Sequence, residues 1–96
     1  MLTKVQQESY GEFYRSTHDN EFLDSKTEVL VGLAAAIALN CKPCTNYYLT
    51  QAKKENVVKG EISEVIAKVM AVSAGQKKLQ TQAVLKEYEI DLDSYE

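Results

Sequence analysis

Ser25-Lys26-Thr27-Glu28-Val29-Leu30-Val31-Gly32-Leu33-Ala34-Ala35-Ala36-Ile37-Ala38-Leu39-Asn40-Cys41-Lys42-Pro43-Cys44 decides the fold. It opens on the S-x-x-E pattern of a capping box, so a helix is expected from Ser25 to about Leu39. From Val29 onward this helix has no charged residue on any face. A helix apolar all round is expected to be buried all round, and in a small domain that requires a neighbouring subunit. Asn40 suits the left-handed residue that ends many helices. Pro43 has no amide hydrogen to lose, so it is tolerated in the first turn of a helix that starts at Cys41–Pro43.

Outward from this stretch the pattern stays helical. Tyr10, Phe13, Tyr14 and Thr17 fall at i, i+3, i+4, i+7 and predict a first helix over residues 4–17. His18-Asp19-Asn20-Glu21 reads as a polar connection, with His18 a solvated loop residue. The helix carrying the cysteines is expected to run to Lys54 or Glu55, with Asn56 as its stop. Ile62, Val65, Ile66, Val69, Met70 and Ser73 stripe a fourth helix over about 59–74. Gly75 is read as a break and about 77–88 as a fifth helix. The acidic tail, about 87–96, is expected to fray. With only four Gly and one Pro in 96 residues, the poverty of turn residues favours helices over a compact β-protein. The expectation is one all-α domain over residues 1–96, of about five helices.

A net charge of −3 and a single Arg exclude the electrostatic footprint of a nucleic-acid binder. The longest apolar run is 11 residues, too short to span a bilayer. No signal-peptide core follows Met1, so the expected compartment is the reducing cytoplasm. A 96-residue chain buries only about 60–65% of its unfolded surface, which also favours a homo-oligomer.

In a reducing compartment a close dithiol reads as redox chemistry or metal binding rather than a structural staple. Cys41 and Cys44 at a helix start lie near unsatisfied backbone amides and the positive end of the helix dipole. Lys42 adds charge, and Lys53, Lys54 and Lys59 keep the wider segment basic. Such surroundings favour thiolate, and the spacing lets one thiol attack while the other resolves. A disulfide closing so short a loop stabilises little. Inert cysteines and a zinc ion shared between subunits are the alternatives. One C-x-x-C and His18 do not make a four-ligand zinc site within one chain, so no metal or cofactor is expected. Tyr48, one turn beyond Cys44, is placed to donate a hydrogen bond to a thiolate or leaving oxygen, or to serve simply as an aromatic contact. Glu28 is read as a capping residue first and a proton-relay carboxylate second.

The runs 23–34, 40–44, Tyr47-Tyr48 and 61–65 resemble the carboxymuconolactone decarboxylase superfamily, and the C-x-x-C resembles its alkylhydroperoxidase-D-like branch. The likeness covers about residues 10–75. It implies an all-helical bundle assembling as a trimer, hexamer or related ring. It also implies an antioxidant dithiol, in which Cys44 attacks a hydroperoxide and Cys41 resolves it. A thiol or lipoyl-type donor then reduces the disulfide. Two positions depart from the family pattern. Tyr48 stands where active members place a His, and Val29 where they place a Glu. Glu28 is one residue away, about 100° round the helix. The relay is incomplete, which favours exchange with small disulfides over peroxide turnover. Ring-lactone decarboxylation belongs to a branch that generally lacks the cysteine pair. The expected function is a thiol–disulfide oxidoreductase with weak hydroperoxide reductase activity; the alternative is a non-enzymatic helical oligomer or interaction module.

Overall fold

The computed structural model describes residues 1–96 and contains helices and no strand. Four α-helices follow one another: α1 (Lys4–Ser16), α2 (Ser25–Ala38), α3 (Lys42–Lys54) and α4 (Lys59–Glu87), with a 3₁₀ turn at Leu92–Ser94.

Local chemistry sets each boundary. Thr3 and Gln6 cap α1 reciprocally: Gln6 N donates to Thr3 Oγ1 at 3.2 Å and Thr3 N donates to Gln6 Oε1 at 3.0 Å. The start of α2 departs from the capping-box reading. Asp24, not Ser25, is the N-cap, and Thr27 N donates to its Oδ1 at 2.7 Å. A carboxylate is as good an N-cap as a hydroxyl. Moving the start by one residue takes Glu28 out of capping register and frees its side chain. Asn40, Asn56 and Glu89 close α2, α3 and α4 with φ values of 55°, 57° and 52°. Each makes a Schellman pair. For α2 this is Cys41 N to Ala36 O at 2.9 Å and Asn40 N to Ile37 O at 3.0 Å.

The expected fourth and fifth helices are one. Gly75 lies inside the 29-residue α4, with open space around it. A helix interior tolerates one glycine at a cost of about 1 kcal/mol, and no proline follows to enforce a break. In the acidic tail Asp93 N donates to Asp91 Oδ1 at 3.0 Å within the 3₁₀ turn.

The core lies where α3 and α4 flank α2. Val29, Leu33 and Ala36 line one face of α2 at i, i+4, i+7, and meet Ala52 of α3 and Val69 of α4 as the buried residues. Leu33 is completely enclosed. Lys26 Nζ and Glu61 Oε2, 2.8 Å apart, tie the start of α2 to the start of α4. Within a single chain α2 is not buried all round: Val31 is 55% and Leu39 80% exposed, because only two helices flank it. Helix α1 packs on no other helix, and every residue from Ala71 through Val84 is exposed. The radius of gyration is 19.1 Å, against about 12 Å for a compact domain of this length. No helix is long and apolar enough to cross a membrane.

Candidate functional site

Cys41 and Cys44 are joined as a disulfide, their Cα atoms 5.2 Å apart. Cys41 is the N-cap of α3 and makes no side-chain capping bond; Pro43 occupies the second helical position. Thr45 supports this turn through both its amide and its Oγ1, which donate to Cys41 O at 2.9 Å. Cys41 is half-buried and Cys44 exposed. On reduction, Cys41, at the N-cap, would lie beside the unsatisfied amides of the first turn of α3, and Cys44 within that turn. Lys42 is the one lysine at this end. Lys53 and Lys54 lie in the last turn of α3, about 15 Å along the axis. That exceeds the Debye length of about 8 Å at physiological salt. Contrary to the sequence reading, these two do not charge the thiol environment.

The faces of α3 lead away from the two sulfurs in different directions. On one side Ile37, Asn40, Cys41, Lys42, Thr45 and Leu49 border a groove of about 450 Å³. Tyr47, Tyr48 and Gln51 follow Cys44 at i+3, i+4 and i+7, so they share its face. Tyr47 and Gln51 border a polar cleft of about 350 Å³ with His18, Asn20, Ser25 and Glu28.

His18 is not a solvated loop residue. Its Nδ1 lies 3.4 Å from Glu28 Oε1, and its side chain is only 24% exposed, against 17% for Glu28. The imidazole sits in an aromatic nest. It lies edge-on to Tyr14 at 4.7 Å and to Tyr47 at 5.8 Å, and stacks on Tyr48 at 6.4 Å between centroids. Its Nε2 is buried without a hydrogen-bond partner. The signal that would have found it is the α1 stripe itself, since His18 is four residues beyond Tyr14, which is four beyond Tyr10. Tyr10 and Tyr14 stack at 6.3 Å, and the series ends on the imidazole.

Tyr48 is placed by a missing side chain. The Tyr48 ring lies so close to Gly32 that any Cβ there would overlap it. Burial, and then the Glu28 carboxylate, push the Tyr48 phenol above its ordinary range. It therefore stays a hydrogen-bond donor. Tyr48 and Glu28 thus share one neighbourhood, whereas Val29 is a core residue, 4% exposed, at the wall of the polar cleft. No group of three His, Cys, Asp or Glu side chains is placed to hold a metal ion.

The arrangement has relatives. Its fold is similar to the crystal structure of a protein from Methanobacterium thermoautotrophicum, a structural-genomics target, at 24% identity and a TM-score of 0.77. The match covers 88% of this chain and 95% of that one. No curated protein matches the sequence. The sequence model of the carboxymuconolactone decarboxylase family matches residues 7–87, through all four helices and the cysteine pair. The chain belongs to the carboxymuconolactone decarboxylase family.

Proposed function

We propose that this chain is a thiol–disulfide oxidoreductase of the alkylhydroperoxidase-D-like kind, cycling Cys41 and Cys44 between dithiol and internal disulfide. The observation that carries the reading is the cysteine pair, bonded at the N-terminus of α3 with Cys44 exposed to a substrate. The substrate is a small disulfide or, more slowly, a hydroperoxide. Cys44 attacks and Cys41 resolves; a thiol or lipoyl-type donor reaches the Cys41 groove and restores the dithiol. The cycle suits the reducing cytoplasm. Titration of the thiols against a dithiothreitol redox buffer tests this. A single two-electron transition to an internal disulfide supports it. Failure to oxidise under mild peroxide, or tight zinc binding by the reduced pair, overturns it.

The working unit in this proposal is a homo-oligomer, a trimer, hexamer or related ring. The unpartnered α1, the exposed half of α4 and the extended single-chain shape support that reading. A second reading, a non-enzymatic helical assembly module, is favoured by Tyr48 and by the core placement of Val29, which occupy the positions of the family's proton relay.

A further inference from the structure

We propose that the groove beside Cys41 admits the reductant and that Lys42 makes it selective for an anionic one, a small thiol or dithiol with an aliphatic body and a carboxylate. The proposal rests on the dithiol reading above. The two sides of the start of α3 differ in charge. Cys41 borders the groove of about 450 Å³ and Cys44 does not, a volume that suits a small molecule. Half-buried Ile37 and the partly exposed Leu49 give the groove an apolar wall, and Asn40 and Asn46 bring side-chain amides to it. Lys42, the first residue of α3, is the one charged side chain on its border. The free amides of the first turn of α3 add positive potential at the same end. The polar cleft that Tyr47 and Gln51 border has the opposite sign: Asp19, Glu28 and Glu55 line it, and no Lys or Arg does. A concave surface lined by one sign of charge raises the local concentration of the opposite sign. An anionic thiol is therefore drawn to the Cys41 side and repelled from the other, in a chain whose net charge of −3 would otherwise repel it throughout.

The step balances with the reductant's own thiols. Its thiolate, in the groove, attacks the Cys41 sulfur; a bond forms between the two, the Cys41–Cys44 bond breaks, and Cys44 leaves as a thiolate. A second reductant thiolate, from the same dithiol or another molecule, attacks the reductant sulfur of this mixed disulfide. The reductant leaves as a disulfide and Cys41 as a thiolate. Two reductant thiols give up two electrons and two protons, and the cysteine pair takes up both.

The test reduces the full oxidised chain with an excess of 3-mercaptopropionate, 2-mercaptoethanol or cysteamine, which are anionic, neutral and cationic. Protein thiols released with time are counted by alkylation and mass measurement. Each rate is divided by that of the same chain with neutral 2-mercaptoethanol, and the variants are compared with wild type. The reagents' own reactivity and any change in the protein's thiols then cancel. Lys42→Gln is expected to lower the 3-mercaptopropionate ratio about fivefold, the worth of one unit-charge pair at about 4 Å in water. Lys42→Glu is expected to lower it about twentyfold and to raise the cysteamine ratio by a similar factor. Both effects are expected at about 0.01 M salt and lost at about 1 M, where the Debye length falls from about 30 Å to about 3 Å. Lys42 is exposed in the first turn of a helix, where a carboxylate suits the dipole, so both variants are expected to fold. Ratios that stay at wild-type values in both variants overturn the proposal and leave the dithiol reading intact. So does a slowing that is equal for all three thiols. A wild-type chain that none of the thiols reduces, or whose reduced pair never re-forms the Cys41–Cys44 disulfide, defeats both.

Discussion

The ring of Tyr48 rests on the bare backbone of Gly32: a Cβ at residue 32 would stand 2.8 Å from Tyr48 Cδ1 and closer still to Cε1 and Cζ. One glycine in α2 therefore decides how closely α3 approaches it and where the phenol lies relative to Glu28. Gly32→Ala gains helix propensity of about 1 kcal/mol and incurs an overlap of about 1–3 kcal/mol. The overlap wins, and the melting temperature is expected to fall by several degrees. In a Tyr48→Ala background the overlap is gone, and the same Gly32→Ala change is expected to stabilise. Thermal unfolding of the four chains measures this reversal of sign. A Gly32→Ala chain as stable as wild type would show that the ring moves aside freely.

Cys44→Ser is expected to abolish peroxide consumption. Cys41→Ser is expected to allow one stoichiometric oxidation and then stall, because the attacking sulfur remains and nothing resolves it. Residual peroxide and free thiol, measured on both variants, check this. One stoichiometric oxidation by Cys44→Ser, with none by Cys41→Ser, would reverse the assignment of the two sulfurs.

Tyr48→His places a base on the helix face of Cys44, one turn away. The peroxide rate is expected to rise about tenfold at pH 7, the lower part of what acid–base groups contribute. An unchanged rate with intact helicity would show that position 48 does not reach the thiol.

Asp24 accepts the Thr27 amide, and Glu61 accepts from Lys26 and the Val58 amide; both carboxyls are held below their ordinary range. A depressed folded value means that the stabilisation is present above the unfolded pKa and lost as pH falls through the folded one. Stability is therefore expected to decline from about pH 4 downward, where unfolded carboxyls take up protons. Asp24→Asn, which keeps a capping oxygen, is expected to shallow that decline. Melting curves between pH 2 and pH 7 decide it. A variant with the wild-type acid profile would exclude Asp24 from the effect.

The chain at micromolar concentration is expected to sediment as a multiple of 10.8 kDa. The extended α1 and the exposed residues 71–84 provide the apolar surface that association would cover. A 10.8 kDa species with cooperative unfolding would refute the oligomer.

The helices and the cysteine site were legible because their signals are local. The apolar run of α2, Asn40 and Asn56 as left-handed stops, and Pro43 inside the first turn of α3 each act within a few residues. Errors of boundary arose where two neighbouring residues suited one task. Asp24 and Ser25 are both good caps, and choosing the second gave Glu28 a capping duty that it does not have. Gly75 invited a break that the continuing hydrogen-bond ladder overrides.

By itself, then, the sequence determined an all-α chain with a dithiol at the start of a helix, because capping, periodicity and Cys41-Lys42-Pro43-Cys44 are read over one or two turns. Only the tertiary structure decided that Glu28, His18 and Tyr48 meet. Their meeting depends on how the α1–α2 connection folds back over α3 and on how closely α2 and α3 pack at Gly32. No spacing along the chain encodes a contact between residues 18, 28 and 48, because it exists only once two helices and a loop share one surface.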